Sequence, residues 1–413
     1  MPTPATDPIP FPTDDSDSAR TFLEAHGLVA VEPPLRSSDF PAALEDPFRY
    51  YLTRRLGLAP FLSYSTALNR GSWFHTAAQA SQTSDPSSFL LAALDSRLAE
   101  LKSVCDSVGV LPSAALTFAQ RERRDFETAS AWFEAAFSTP FHQGQSLSTY
   151  FSSFTHVASE LTLRHTITLN GRSLPLVCTL DRLILRDNLL SIVDYKTCSE
   201  PPSIRLAKCP LEMQTWLYSF IVDELLSSGR LQQLLNLPPS VTFGGMYHLA
   251  IQKPTIRLGL NDRPFRETPF TPSSGKNKGI TRINREYYGE PSFARYLARC
   301  SSWYARTDEF SSDPDSEPRV NISYIAPTLI RSPLTLKDLF TRLELLHSFS
   351  TRPANPDNFP KNPNGIYSYR GQSLSPFADL YFRPVREWPS IIQQARFVVD
   401  HRDDPSDSPS DPE

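Results

Sequence analysis

The hydrophobic periodicity of the chain changes near residue 155, and this change constrains the fold more than any other feature. Before it, apolar residues recur at helical spacing, and after it they alternate with polar residues as in strands. The helical spacing predicts a mainly α N-terminal part, with helices over Ala19–His26, from Asp39 onward, and over Ala67–Gln82, Phe89–Val104 and Ala114–Phe137. The alternation predicts strands over Glu160–Leu169, Leu174–Leu185 and Leu189–Thr197.

The elements that follow place these strands in an α/β core. A helix is predicted over Leu211–Ser227 and a further strand over Val241–Ile251. The order of helices, three-strand meander, helix and strand predicts an α/β core with helical additions. After residue 255 the pattern weakens into Pro-rich loops, and one clear helix remains over Leu334–His347.

Two dipeptides between the strands are predicted to close two-residue hairpins, Asn170-Gly171 and Asp187-Asn188. In such hairpins the residue numbers of paired positions add to a constant, which is 341 for the first turn and 375 for the second. This pairing places Glu160 opposite Asp181, and Asp181 opposite Asp194. Opposed carboxylates destabilise a sheet, whereas Mg²⁺ requires oxygen ligands of this kind. The alternatives are a bulge that breaks one register, or a face that is simply solvated.

Other polar residues point to the same region. Lys196 follows Asp194 by two residues and so lies on the same strand face, at the end of an apolar run where buried charges need partners. Gln214 and Tyr218 share one face of a predicted helix, although core packing is the simpler explanation of that pair taken alone. His75 lies on another predicted helix, where a lone histidine is more often a packed or surface residue than a ligand.

Taken together, these residues resemble the motifs of the RecB-like branch of the PD-(D/E)XK nuclease superfamily. That branch has a Gly-xxx-His helix, an Asp on the second core strand, an Asp/Glu-x-Lys strand end and a Gln-xxx-Tyr helix. The chain has the matching residues in the same order, namely Gly71 and His75, Asp181, Asp194-Tyr195-Lys196, and Gln214 and Tyr218. The segment from Asp46-Pro47 to Leu56-Gly57-Leu58 also resembles the family's leading element. Each motif is weak alone, but five in order over residues 37–255 make a strong match.

The resemblance implies a restriction-endonuclease-like α/β core, in which a mixed sheet is flanked by helices, with a helical N-terminal part and an irregular C-terminal extension. It implies one or two Mg²⁺ or Mn²⁺ ions, held by His75, Asp181, Asp194 and the carbonyl of Tyr195. Lys196 is implied to position the attacking water and stabilise the charged phosphate, whereas Gln214 and Tyr218 orient the site or touch the DNA. Glu160 is an additional candidate acid, supported by the strand pairing more than by the family pattern.

The chain departs from the family pattern at two positions. Asp46 stands where some members have a cysteine that holds an iron–sulfur cluster, together with three more cysteines after the Gln-xxx-Tyr helix. Only Cys300 follows Tyr218, so no iron–sulfur cluster is expected. Leu180 replaces the proline of the family's name, a change that is common in divergent members.

The distribution of charge favours a polyanionic substrate despite a net charge of −4. Residues 1–36 and 401–413 each carry −4 and are predicted to be a flexible segment and a disordered acidic tail. Residues 251–306 carry +7, with aromatic residues between the basic ones, although a solvated Arg-rich surface explains this nearly as well. They begin a basic extension, 256–400, that is expected to pack on the core. The candidate DNA-binding residues are Lys253, Arg263, Arg266, Lys276, Lys278, Arg282 and Arg285.

The complete set of two aspartates and a lysine favours an active Mg-dependent deoxyribonuclease, most simply an exonuclease in recombination, repair or phage DNA processing. The alternatives are a non-catalytic or weakly catalytic nucleic-acid-binding protein, a nicking or structure-specific endonuclease, a hydrolase of small phosphate esters, and an α/β protein whose motif order is coincidental. No helicase motif is present, so unwinding requires a partner. A recombination protein or a single-strand-binding protein is a candidate. Polarity, strand preference and oligomeric state stay open.

Cysteine usage and hydropathy indicate a cytosolic chain. Its five cysteines form no Cys-x-x-Cys pair and no even framework, so neither a disulfide scaffold nor a structural zinc site is expected. No apolar run is long enough to span a bilayer, so no membrane association is expected. The first residues lack the pattern of a signal peptide.

Overall fold

The computed structural model describes residues 16–60, 66–107, 109–142, 144–276, 278–306, 317–362, 375, 377–394 and 397–399. The chain divides into two compact units. The first unit comprises Met1–Ser63, Arg164–Val177 and Lys337–Glu413, and the second comprises Tyr64–Leu163 and Cys178–Leu336. The candidate catalytic, metal-binding and DNA-binding residues all belong to the second unit. The predictions made for residues 1–15 and 401–413 lie outside the described residues.

Helices account for most of the regular structure. In chain order, the α-helices of the described ranges are α1 Ser16–Ala25, α2 Asp39–Glu45, α3 Pro47–Tyr50, α4 Thr66–Ala80, α5 Pro86–Ser107, α6 Pro112–Ser138, α7 Leu147–Phe151, α8 Pro202–Lys208, α9 Met213–Ser227, α10 Arg230–Leu234, α11 Phe293–Tyr304, α12 Pro327–Ile330, α13 Pro333–Ser350, α14 Ala378–Phe382 and α15 Trp388–Gln394. A π-helical turn covers Tyr51–Arg55, and short 3-10 helices cover Cys209–Leu211, Leu260–Asp262, Pro356–Asn358 and Val385–Glu387.

The strands are fewer and concentrate in the middle of the chain. In order, they are β1 Leu58–Pro60, β2 Pro140–His142, β3 Gln145–Ser146, β4 Thr155–Leu169, β5 Arg172–Arg186, β6 Leu189–Cys198, β7 Thr242–Gln252, β8 Phe265–Phe270, β9 Arg282–Tyr287, β10 Val320–Ile325 and β11 Phe397–Val399. The helices and strands predicted from periodicity are confirmed, with ends that differ by a few residues. For example, α5 and α6 begin at Pro86 and Pro112, because proline suits the first turn of a helix.

Both predicted hairpin turns are confirmed. Asn170-Gly171 and Asp187-Asn188 all have positive φ, between 49° and 76°, as a type I′ turn requires. The antiparallel register of β5 with β6 follows the predicted constant from the second turn as far as the pair of Arg182 and Val193. The hairpin therefore brings Asp181 to the point where this ladder ends.

A five-stranded mixed sheet, in the order β10-β7-β6-β5-β4, forms the centre of the fold. β6 runs parallel to β7, whereas the β5–β6 and β7–β10 pairs are antiparallel. β6 and β7 are buried along most of their length, as expected for strands that are covered on both faces. α8 and α9 pack on β7, and α4 packs on β6. The predicted α/β fold, a mixed sheet flanked by helices, is confirmed.

An apolar cluster holds α4, α6 and α11 together in the second unit. The Trp132 indole N–H on α6 donates to the Tyr296 hydroxyl on α11 at 2.9 Å. The rings of Phe74 on α4 and Phe137 on α6 pack on the ring of Tyr195, with centroids 6.4 Å and 6.1 Å from it. These contacts place α4 and α6 against the end of β6.

Aromatic residues from distant parts of the sequence hold the first unit together. The Tyr51 ring stacks on Phe359 at 4.7 Å between centroids. The Phe48 ring meets the edges of Tyr381 and Trp388 at 4.8 Å and 5.8 Å. The predicted leading element, from Asp46 to Leu58, is thus a packed part of this unit.

Asp46 has a structural role in this leading element. Its carboxylate accepts a hydrogen bond from the backbone N–H of Arg49 at 3.2 Å, which caps α3. It also accepts a hydrogen bond from the hydroxyl of Tyr381. The acid at the position of the family cysteine therefore ties α3 to a later part of the first unit.

Two regions differ from the sequence-based expectations. Residues 16–36 belong to the segment predicted to be flexible, but Leu23, Leu28 and Leu35 are buried, because these apolar side chains pack despite their Pro- and Asp-rich surroundings. The region after residue 255, where one helix was predicted, also contributes β10 to the central sheet and forms the β8–β9 hairpin. These strands are short, and Pro269 interrupts the alternation in β8.

A substitution at Gly245 tests the packing of β7 against β10. Gly245 lies at a register shift of the β6–β7 pair, with φ of +104°. A Cβ at this position would lie 2.6 Å from the Ile325 carbonyl oxygen. We expect Gly245→Ala to lower the free energy of unfolding by about 2–4 kcal/mol, through backbone strain and overlap together, as measured by urea denaturation.

Gly229→Ala is the matched control. Gly229 also has positive φ, +76°, but a Cβ there would meet no atom within 4 Å. It should therefore cost only the backbone strain, about 1–2 kcal/mol. Equal losses of stability in the two variants would contradict the close approach at β7.

Candidate functional site

Three side chains of the second unit converge at the ends of neighbouring elements. His75 lies on α4, Glu160 on β4 and Asp181 on β5, and one ligand atom from each lies within 4.8 Å of the others. His75 Nδ1 is 3.3 Å from Asp181 Oδ1 and 3.9 Å from Glu160 Oε1. Their side chains are 29%, 11% and 35% exposed, in the order His75, Asp181 and Glu160, so solvent reaches the cluster. We call these three residues the ligand cluster.

The position of His75 depends on how α4 is held. The Arg70 guanidinium pairs with buried Asp125 on α6 at 2.6 Å, and the Trp73 indole donates to buried Glu122 at 2.7 Å. An added Cβ at Gly71 would lie 3.6 Å from Thr197 Oγ1. That distance is an ordinary van der Waals contact with a side chain, so glycine is not required at this position.

Glu160 reaches the cluster through an irregularity in β4. The hydroxyl oxygens of Thr162 and Thr179 are 3.0 Å apart, as the register predicted from the Asn170-Gly171 turn requires. Two residues earlier, Glu160 adopts a φ of 51°, which is costly for a residue with a side chain. The predicted neighbourhood of Glu160 and Asp181 is thus observed, at a point where the backbone leaves the extended conformation.

Asp181 links the ligand cluster to β6. Its Oδ1 faces His75, whereas its Oδ2 accepts a hydrogen bond from the backbone N–H of Tyr195 at 2.8 Å. Where the β5–β6 pairing ends, the Tyr195 N–H is therefore bonded to a side-chain oxygen of β5 and not to a backbone carbonyl. Tyr195 follows Asp194 directly, so Asp181 lies next to the second group of polar residues.

The second group surrounds the carboxylate of Asp194, which is 2% exposed. Lys196 Nζ donates to Asp194 Oδ1 at 2.9 Å and to Gln214 Oε1 at 2.7 Å, and Gln214 Nε2 donates to the same Asp194 oxygen at 3.0 Å. His248 Nδ1 donates to Asp194 Oδ2 at 2.9 Å. We call these four residues the Asp194 group.

Electrostatic interactions keep Asp194 and Lys196 charged. Burial alone would raise the pKa of Asp194, but the Lys196 ammonium and the hydrogen bond from His248 hold it well below its usual value. Burial alone would lower the pKa of Lys196, but the Asp194 carboxylate raises it above its usual value. The Asp194 carboxylate and the Lys196 ammonium are therefore both ionised at neutral pH.

The Asp181 carboxylate acts on the pKa values of His75 and Glu160. Burial would lower the pKa of His75, yet the carboxylates of Asp181 and Glu160 outweigh it and raise the pKa. Burial raises the pKa of Glu160, and the neighbouring Asp181 charge adds to this effect. Crowded acids of this kind gain stability from a cation, which removes their repulsion.

The Asp194 group and the ligand cluster are neighbours, because Asp181 accepts a hydrogen bond from the backbone N–H of Tyr195, the residue after Asp194. Successive residues of a strand point to opposite faces, and Asp194 and Lys196 face Gln214 on α9. Tyr195 points the other way, and its ring lies 6.0 Å from that of His75. The predicted site residues are thus brought together in one unit, but Asp194 lies outside the cluster formed by His75 and Asp181.

Tyr218 and the predicted basic residues are members of neither the ligand cluster nor the Asp194 group. Tyr218 is half-buried on α9, one turn after Gln214. Lys253 and Arg263 are half-buried after β7. The remaining candidates are exposed on the β8–β9 hairpin and its connecting segment, namely Arg266, Lys276, Lys278, Arg282 and Arg285.

His248 is a member of the Asp194 group that no sequence motif indicates. It is fully buried on β7, directly beside Asp194 in the parallel β6–β7 register. Its Nε2 lies 3.0 Å from Thr215 Oγ1 on α9. The pairing of β6 with β7 is the signal that would have located it.

The His248 contact has a measurable effect on stability. We expect His248→Leu to lower the free energy of unfolding by about 1–3 kcal/mol, because it removes a donor from a buried carboxylate. His248→Asn should lose less, since its amide N–H can occupy the place of Nδ1. Urea denaturation compares the two variants, and equal losses would show that the hydrogen bond to Asp194 is unimportant.

The described residues contain no helix that is both long and apolar enough to cross a membrane. A comparison with curated proteins finds no match. A solved structure titled "Crystal structure of SSO0001" is similar at 13% identity, over 65% of this chain and 96% of that chain, with a TM-score of 0.19. That likeness is too weak to bear on function. Residues 38–310 match the model of the PD-(D/E)XK nuclease superfamily, and because this match spans more than half of the chain, the chain belongs to that superfamily.

Proposed function

We propose that this chain is a divalent-metal-dependent nuclease that hydrolyses phosphodiester bonds in DNA. The observation that carries the proposal is the proximity, within one unit, of the ligand cluster to the buried Asp194–Lys196 ion pair. Asp181 joins the two, through His75 on one side and the Tyr195 N–H on the other. Burial of an ion pair is costly unless the pair is well partnered, so this arrangement favours a functional site over a solvated acidic surface.

The ligand cluster has the chemistry of a Mg²⁺ or Mn²⁺ site. His75 offers an imidazole nitrogen, and Glu160 and Asp181 offer carboxylate oxygens, which suit these ions. Ligands of one octahedral ion lie about 2.1 Å from it, and hence about 3–4 Å from one another, so small side-chain rotations bring the three within range. A bound ion would supply a Lewis acid and lower the pKa of a water molecule.

Asp194 is a proposed further ligand, with the carbonyl of Tyr195 beside it. In the structure Asp194 Oδ1 accepts from Lys196 and Gln214, and Oδ2 accepts from His248. These three donors leave one of the roughly four lone-pair sites of the carboxylate open, on Oδ2, where an ion can be coordinated.

Lys196 is proposed to act directly on the substrate. Its ammonium stays charged because Asp194 raises its pKa, and it can hold a phosphate oxygen or orient the attacking water. Gln214 holds Lys196 through its carboxamide oxygen at 2.7 Å, which fixes the direction of the ammonium. Tyr218, one turn further on the same helix, is proposed to orient the site or touch the DNA strand.

We further propose an exonuclease of the RecB-like type, acting in recombination, repair or phage DNA processing. The order of the motifs from Gly71 to Tyr218 supports the branch, and the +7 charge of residues 251–306 supports a DNA substrate. A recombination protein or a single-strand-binding protein is the proposed partner. A nicking or structure-specific endonuclease would share these features and differs in its action on closed circular DNA.

Substitutions in the two groups test the proposed chemistry. We expect Asp181→Asn and Lys196→Ala each to lower the rate of Mg²⁺-dependent DNA degradation by at least about 100-fold, the usual effect of losing a catalytic proton-transfer or charge-stabilising group. The rate is measured as acid-soluble nucleotide released from linear DNA. Circular dichroism checks that the variants fold.

Asp187→Asn is the matched control, because Asp187 is an exposed aspartate in the turn after the same strand. It should keep the full rate. Mn²⁺ binding measured by calorimetry gives a second readout, which Asp181→Asn should weaken and Asp187→Asn should not. Undiminished degradation by both Asp181→Asn and Lys196→Ala would refute the assignment.

A further inference from the structure

The β8–β9 hairpin is exposed on both faces. β8 and β9 pair with each other in a separate two-stranded sheet. Nearly every described residue from Arg266 to Glu286 is exposed, including those on alternate positions of both strands. A two-stranded hairpin is marginally stable by itself, so its base must be held by the rest of the unit.

The base of the hairpin is anchored by Asp262, which is fully buried. Its Oδ1 accepts from the Arg299 guanidinium on α11 at 2.7 Å, and its Oδ2 accepts from the Gly259 backbone N–H at 2.8 Å. Its carbonyl oxygen accepts from Ser292 N–H at 2.8 Å. The Tyr288 N–H closes the base on the Pro264 carbonyl at 2.9 Å. These bonds join both ends of the hairpin to α11.

Charge is balanced near the base and unbalanced at the tip. Glu267 pairs with Arg285 at 3.0 Å, and Arg266 lies opposite Glu286. Residues 270–276 and 278–283, which we call the tip, contain no acidic residue and three basic ones, Lys276, Lys278 and Arg282. Among the described residues none of these three forms an ion pair, so the tip presents a local charge of +3.

The same tip exposes large apolar side chains. Phe270, Ile280 and Ile283 are 58%, 55% and 65% exposed. Phe270 lies directly opposite Arg282 in the strand pairing, and Ile283 is the next residue of β9. Apolar side chains beside unpaired cations match a partner that presents phosphates and aromatic surfaces together.

The chain enters the hairpin from the end of the sheet that carries Lys196. β6 and β7 are parallel, and their pairing ends with Cys198 opposite Gln252. The next N–H, that of Lys253, donates to the Cys198 carbonyl at 2.7 Å. The segment from Lys253 to the hairpin thus leaves the sheet at the edge where the Asp194–Lys196 strand ends.

We propose that the tip of this hairpin is a nucleic-acid contact that recognises the junction between duplex and single-stranded DNA. Lys276, Lys278 and Arg282 contact phosphates, and Phe270 and Ile283 contact bases that are unstacked at the junction. Apolar side chains that wedge between bases, and basic residues that neutralise phosphates, are known modes of such contact. The inference rests on the proposed function and names the form of DNA that the site takes.

Removal of charge tests the phosphate contacts. Binding to a fluorescent DNA fork is measured in EDTA, so that no cleavage is needed. The triple variant Lys276→Ala, Lys278→Ala, Arg282→Ala should lower the slope of log affinity against log salt concentration by about 2–3. Arg97→Ala, Lys102→Ala, Lys208→Ala makes the same change in net charge at residues that pair with acids, and should leave the slope unchanged.

Removal of the apolar side chains tests the proposed contacts with unstacked bases at the junction. Phe270→Ala with Ile283→Ala should weaken fork binding about tenfold and weaken binding to blunt duplex much less. Leu111→Ala with Leu116→Ala alters two equally exposed residues elsewhere and should change neither affinity. Equal losses on fork and duplex, or no loss, would overturn the junction proposal.

The outcomes separate this inference from the proposed function. A wild-type protein that degrades DNA with Mg²⁺ while both hairpin variants bind like wild type would overturn the hairpin proposal alone. A wild-type protein that neither binds the fork nor degrades DNA would contradict both. If the tip binds a protein partner instead of DNA, the wild-type protein should degrade DNA while both hairpin variants bind the fork like wild type.

Discussion

The site depends on one interaction, the burial of the Asp194 carboxylate among Lys196, Gln214 and His248. A buried charge without partners destabilises a fold by several kcal/mol, so these hydrogen bonds fix the relative positions of three elements. Lys196 belongs to the same strand as Asp194, Gln214 to α9 and His248 to β7. The end of β6 is therefore rigid, and the backbone N–H of Tyr195 has a fixed place for Asp181 to bind.

Asp181 connects the end of β6 to the ligand cluster. It joins β6 through the Tyr195 N–H and meets His75 and Glu160 with its other oxygen. The Asp194 carboxylate is buried, whereas the side chains of the ligand cluster and of Lys196 are partly exposed. The ligand cluster can thus receive an ion while Asp194 keeps Lys196 charged. The left-handed backbone of Glu160 is a local strain of the sort that functional sites retain.

Local patterns in the sequence predicted a large part of this arrangement. Hairpin arithmetic from two turns predicted the β5–β6 register as far as Arg182 and Val193 and the proximity of Glu160 to Asp181, since short antiparallel pairings are set by their turns. It missed that the β5–β6 ladder ends beside Asp181 and that Asp194 turns to α9, because these depend on side-chain packing. His248 and β10 were missed because their pairings with β6 and β7 join residues far apart in the sequence. The buried leucines of residues 16–36 were missed because composition alone suggested flexibility.

The most direct test of the central claim is digestion of end-labelled linear DNA and closed circular DNA by the unmodified protein, with Mg²⁺ and with EDTA. A site that combines the ligand cluster with Lys196 predicts rapid loss of linear DNA with Mg²⁺ and none with EDTA. Exonuclease action predicts that the closed circle stays intact, and its cleavage would indicate an endonuclease. Intact linear DNA in the presence of Mg²⁺ or Mn²⁺ would contradict the claim that this site hydrolyses DNA.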